Sequence, residues 1–247
     1  GLLGGIIDVE ASAKKIAVLG GTVGLEARAS VQRHDPPLAD GKKASLTAMD
    51  ADLRIRGIKL SSILAMRGKK LTGIDGAVSG DIHVEGTPQS PRAKLSLGLE
   101  TSRSDGGKTL RFVLDGNVTP TLADLHASLT GAGEATELFG LRAKLPLSLS
   151  GQKKGLDPYR AIDVHAQLPK KKLRELWAFV PSTLFGGTLQ TLPEGDIELA
   201  LDVTGTAAKP DGKLHTTVTA KAVPGFEGTQ KVNLDATLQP AESGLVA

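Results

Sequence analysis

The chain has 247 residues and no cysteine, so disulfides, thiol catalysis and cysteine-ligated metals are excluded. Hydrophobic residues make up 40% but aromatics only 3%, so Leu, Val, Ile and Ala must line any interior. The 30 Lys and Arg interleave with 27 Asp and Glu for a net charge of +3, without the basic face and stacking rings that nucleic-acid binding uses.

Near the start, an apolar strand from Lys15 to Leu19 runs into Gly20-Gly21-Thr22-Val23-Gly24. A dinucleotide-binding fingerprint needs glycine where Thr22 and Leu25 stand, and a helix after it. Instead Val23, Leu25, Ala27, Ala29 and Val31 alternate with other residues, which predicts a hairpin. Ala51, Leu53 and Ile55 continue the alternation, and Ile58, Leu60, Ile63 and Leu64 then switch to helical spacing. Strands are predicted over 78–84, 95–99, 110–114, 125–129, 141–149 and 162–168. Leu173, Leu176, Trp177 and Val180 mark a second short helix, and alternation resumes over 197–203, 216–220 and 232–238.

Apolar residues separated by polar or small ones indicate a sheet with one apolar and one wet face. Glycines (30) and prolines (13) are spread along the chain, as many short strands and tight turns require. Turns are predicted at Asp105-Gly106-Gly107, Asp115-Gly116-Asn117, 154–158 and Pro210-Asp211-Gly212. The runs Lys42-Lys43, Lys69-Lys70, Lys153-Lys154 and Lys170-Lys171-Lys172 read as solvated turns.

Two stretches share one pattern. Gly80-Asp81-Ile82 leads through Val84 to Gly86-Thr87 and Pro91, and Gly195-Asp196-Ile197 leads through Val203 to Gly205-Thr206 and Pro210. The Gly-Thr pairs lie 119 positions apart, and a short helix precedes each stretch. Such repetition indicates copies of one supersecondary unit.

Catalytic constellations are not found. His34, His83, His126, His165 and His215 are scattered without i, i+4 pairing, and His83 and His165 fall between apolar strand positions, on the polar face. They read as solvated surface histidines. Ser79 stands one place late for a nucleophile elbow in Gly76-Ala77-Val78-Ser79-Gly80. Asp50 and Asp52 share one strand face without an evident cleft. The chain reads as a non-enzyme with no metal site.

The Gly-Asp-Ile and Gly-Thr-x₃-Pro block, with its leucine-rich helix and serial alternating strands, resembles the repeats of the TamB/AsmA-like superfamily. The likeness covers most of 45–240 and is clearest at 71–99 and 189–218. It implies an internal segment of a bridge-like lipid transfer protein in the periplasm of a diderm bacterium, its parent chain anchored in the inner membrane. It implies a mainly β, antiparallel-rich sheet curled into an open apolar trough, with two short amphipathic helices and no cofactor. The implied partners are phospholipids, neighbouring β-repeats of the same parent chain and a TamA-like outer-membrane barrel protein. An anchor helix and a barrel-docking segment are not recognisable here, so attachment at either membrane is not assigned.

About 14 strands at roughly 4.8 Å each would extend on the order of 70 Å. The apolar face of such a sheet must be covered or used. Curled, it offers a groove floor for acyl chains, with candidates Ile82, Val84, Leu95, Leu97, Leu110, Phe112, Leu145, Leu147, Ile197, Leu199, Leu201 and Leu234. Residues 1–57 would be a strand segment of the groove, 58–170 a first repeat unit and 171–247 a second, in one continuous elongated domain. The competing expectation is a non-conducting scaffold in which the same leucines form a closed, dry core.

Overall fold

The computed structural model describes residues 6–33, 44–66, 68, 74–103, 108–131, 137–149, 155–177, 194–221 and 228–238. Alternation of the observed kind leaves each strand with a single apolar face, which pairing side by side turns into one surface. The first strands are β1 (Ile6–Val18), β2 (Gly21–Arg33), β3 (Ala44–Lys59), β4 (Ile74–Thr87), β5 (Ser90–Arg103), β6 (Leu110–Val118) and β7 (Leu122–Gly131). Then come β8 (Glu137–Ser148), β9 (Gly155–Leu156), β10 (Asp163–Lys172), β11 (Glu194–Gly205), β12 (Pro210–Lys221) and β13 (Thr229–Leu238). The helices are α1 (Leu60–Met66) after β3 and α2 (Leu173–Trp177) after β10.

All strands belong to one antiparallel sheet whose order is chain order, with the two-residue β9 paired to the far end of β8. The sheet is open, because β1 and β13 are its two ends rather than partners. Its 12-strand path measures about 53 Å across at 4.8 Å per strand. An open sheet of more than about 10 strands rarely stays flat. Irregularities between Ala13 and Ile16, Ile55 and Ile58, Leu129 and Thr130, and Leu168 and Lys171 add local bends and twist.

No second layer of described elements packs across either face; α1 packs mainly against β3 and β4, and α2 against β10 and β11. The accessible surface is 16,494 Å², against about 10,400 Å² for a compact protein of this mass. The buried apolar residues are few and small, Ala123, Ala127, Ala143 and Ala166 with Leu138 and Leu173, and mostly lie on the central strands β7, β8 and β10.

Both Gly-Thr turns are built alike. Gly86 (φ 110°) and Gly205 (φ 87°) take conformations that favour glycine, and a Cβ would come within 2.5 Å of the Ser90 carbonyl oxygen or 2.6 Å of that of Lys209. The 119-residue offset holds further: a Cβ on Gly76 would strike the Glu100 carbonyl, and one on Gly195 the Thr219 carbonyl. Gly195 therefore corresponds to Gly76 and not to Gly80. The shared Gly-Asp-Ile is out of structural register by four residues, and the real unit is strand, helix, strand, hairpin, strand.

Two predicted turns are strand interior. Asp115-Gly116-Asn117 lies within β6 and Pro210-Asp211-Gly212 opens β12, while the chain reverses at 119–121 and 206–209. The reason is packing. A Cβ on Gly116 would meet Leu125 at 2.7 Å, and one on Gly212 would meet Leu238 and Val203 at 3.2 and 3.3 Å. The Lys170–Lys172 run is likewise the end of β10, with Lys170 3.8 Å from Asp196. The Lys42, Lys69 and Lys153 runs, the 105–107 turn and His34 lie outside the described residues. At 19–20 the chain forms the expected hairpin, with Leu19 and Gly20 both at positive φ as a type I′ turn requires.

Candidate functional site

Directly opposed residues of an antiparallel pair project from the same face, so register decides which side chains share a surface. One row of partners crosses the whole sheet: Ala13, Leu25, Leu53, Ile82, Leu95, Gly116, Leu125, Ala143, Val164, Val203, Gly212 and Leu238. A second runs Ile16, Val23, Ile55, Gly80, Leu97, Leu114, Ala127, Leu141, Ala166, Leu201, Leu214 and Ala236. Neither row contains a polar side chain.

All twelve candidate floor residues fall on this face. Ile82 and Leu95 belong to the first row, and Leu97 and Leu201 to the second. Val84 pairs with Ala93, and Leu145 with Ala123. Leu110 and Phe112 project beside them from β6, and Leu147 extends the face to Leu156 of β9. Leu199 pairs with both Leu168 and Thr216, Leu234 lies across from Thr216, and Ile197 lies across from Val218. No strand is flipped.

None of the twelve is buried. Leu234 is 53% exposed and Phe112 37%, and the other ten are half-buried. Exposure grows towards the sheet ends, to 51% at Val9 and Ile16 and 62% at Val232. Leu25, Leu53, Leu114, Leu125, Leu141 and Leu214 belong to the same face; their own alternation was the signal for them. Rings are scarce here: Phe112 and Phe139 flank Leu129 in one row, while Tyr159 stands 84% exposed in a turn.

The opposite face is charged and its histidines are not isolated. Each described histidine has an aspartate directly across: His83 and Asp52, His126 and Asp115, His165 and Asp202, His215 and Asp235. His83 Nδ1 lies 3.0 Å from Asp52 and 3.8 Å from Asp50, and its Nε2 is 3.6 Å from Glu85. His165 is held between Asp202 on Nδ1 and Asp163 on Nε2, and His215 Nδ1 meets Asp235 at 2.6 Å. The hydrogen bond to Asp52 raises the His83 pKa above the usual imidazole value, and the bond to Asp202 does the same for His165. At the strand–helix junction, Asp75 accepts from the Gly76 and Ser61 amides, which lowers its pKa. The described histidines are solvent-accessible on the polar face as expected, but they are not without nearby carboxylates; sequence spacing does not reveal cross-strand register.

The arrangement offers two chemically distinct surfaces: a mainly apolar one for hydrocarbon, interrupted by Thr216 beside Leu199 and by Lys171 across from Ile197, and a mixed-charge one for water and ions. No protein-family model, curated protein or solved structure matches this chain.

Proposed function

We propose that the apolar face is the floor of a lipid-conducting groove. The observation that carries this reading is the apolar face that crosses all 12 strands of the sheet path without a buried member among the candidate residues. Left in water, such a face is unfavourable; covered by hydrocarbon, it recovers roughly 0.8 kcal/mol for each methylene buried, or at most about 13 kcal/mol for a 16-carbon chain. Movement along the sheet requires that this gain stay even from strand to strand. Interchangeable Leu, Val, Ile and Ala provide that evenness, and headgroups stay in water at the open side. Conduction is passive, with direction set elsewhere.

The likeness to TamB/AsmA-like repeats supports phospholipid as the cargo and transfer between the inner and outer membranes of a diderm bacterium as the setting. In that reading the chain is a periplasmic segment, flanked by further β-repeats of its parent chain and working with a TamA-like barrel. A closed scaffold would bury the same leucines, whereas half-buried leucines on a sheet with no second layer of described elements favour the groove.

The test is photocrosslinking. A photoreactive residue at Leu97 or Leu199 is expected to capture phospholipid from membrane extracts, detected as a mass adduct. The same probe at Glu85 or Glu198, on the charged face, is expected to remain free. Adducts confined to the charged face would overturn the proposal.

A further inference from the structure

The geometry points to a binding site for one divalent transition-metal ion, such as Zn²⁺, on the charged face, with His83 Nδ1, Asp50 and Asp52 as its ligands. Two neighbouring rungs of the β3–β4 ladder create it. Asp52 is the register partner of His83 and Asp50 that of Glu85, so four side chains stand in a square on one surface.

Distances favour chelation. Two donors each 2.0–2.1 Å from a tetrahedral zinc stand about 3.3 Å apart. The Nδ1–carboxylate separations of 3.0 and 3.8 Å bracket that value, and all three donor atoms lie within 4.8 Å of one another. Small rotations of exposed side chains close the remainder, with water completing the coordination.

The other histidines sharpen the point. His165 also has two carboxylates, but on opposite ring nitrogens, where no single ion can reach both. His215 has Asp235 on one nitrogen and the Thr217 hydroxyl on the other. Among the described residues, only at His83 do two carboxylates converge on one nitrogen. Its other nitrogen then faces Glu85 at 3.6 Å, where a carboxylate acceptor orients a metal-ligating imidazole.

Space and charge agree. A shallow pit of about 300 Å³ opens beside the two aspartates, lined also by Glu10, Ser12, Glu26 and Arg28. Arg28, the cross-strand partner of Asp50, donates its Nε–H to Glu10 at 3.1 Å. A divalent ion there neutralises two carboxylates, and an imidazole ligand selects transition metals over Mg²⁺ and Ca²⁺. The site lies on the face opposite the groove floor, so it stands or falls independently of lipid conduction.

Calorimetric titration of the tag-free chain with Zn²⁺ tests this, alongside histidine NMR during the same titration. The expected result is one Zn²⁺ per chain, undisturbed by excess Mg²⁺, with the His83 ring signals moving first. His83→Gln and Asp52→Asn are expected to weaken binding at least tenfold and His165→Gln to leave it unchanged. Unchanged circular dichroism of each variant separates a lost ligand from a lost fold. Absence of binding, equal affinity in His83→Gln, or first movement of the His165 or His215 signals would overturn the assignment.

Discussion

Replacing Leu199 by aspartate separates an open floor from a dry core. Leu199 is half-buried, between Leu168 and Thr216 on neighbouring strands. Full burial of a leucine contributes about 1.5–3 kcal/mol, so partial burial forfeits about 1–2 kcal/mol. Aspartate's poor fit to a strand adds up to about 1 kcal/mol. Folding should therefore weaken by about 1–3 kcal/mol, read as a lowered urea midpoint with unchanged slope. Lipid passage should suffer more specifically. An acyl chain crossing the carboxylate must strip or displace its water at a cost of at least about 2 kcal/mol, roughly thirtyfold in exchange rate. The assay is exchange of a fluorescent phospholipid from the loaded protein, with Glu198→Ala on the charged face as the control. A destabilisation above about 5 kcal/mol, the range of a charge forced into a closed core, would refute the reasoning. So would unimpaired exchange in a folded Leu199→Asp protein.

Three further outcomes follow from other parts of the sheet. Gly86→Ala and Gly205→Ala should each destabilise by about 1–3 kcal/mol in urea unfolding, since both positions combine positive φ with a blocked Cβ direction. Lying many strands apart, their effects should add. The His165 pKa is raised on folding, so its pairing with Asp202 contributes fully below the ordinary imidazole pKa of 6.5. That contribution fades as pH climbs through the folded value; Asp202→Asn should remove this part of the pH dependence and lower the His165 pKa in an NMR titration. Asp75 has the opposite sign: its lowered pKa means stabilisation present above 3.8 and lost as pH falls through the folded value. Asp75→Asn should accordingly flatten the acid limb of the stability profile and, by weakening the bonds to Ser61, cost about 1 kcal/mol near neutral pH.

Alternation alone is enough to place every candidate residue on one shared face, because the strand period of two admits only two orientations and one is apolar. Helical spacing over Ile58–Leu64 and Leu173–Val180 points to both helices, although Ile58 belongs to the end of β3 and Val180 lies outside the described residues. Register was less accessible. Asp115-Gly116 reads locally as a turn, and only the leucines that close over Gly116 from neighbouring strands show why glycine stands mid-strand. Gly195 shares identical neighbours with Gly80, though its cross-strand partner Ala220 corresponds, at the 119-residue offset, to Thr101 opposite Gly76. The histidine–aspartate pairs were invisible for a related reason. Asp52 and His83 are 31 residues apart, and nothing local to either announces the other.

Because the described strands pack chiefly against those beside them, the sheet is close to one-dimensional. Its stability is a sum over adjacent hairpins, so unfolding should begin at β1 and β13 and move inward, and a lesion in one hairpin should leave distant ones intact. Nearest-neighbour contacts also leave little long-range loop closure to slow folding, even in an all-β chain. A protein made this way can be lengthened by inserting hairpins without redesigning an interior, so reach becomes a matter of counting rungs.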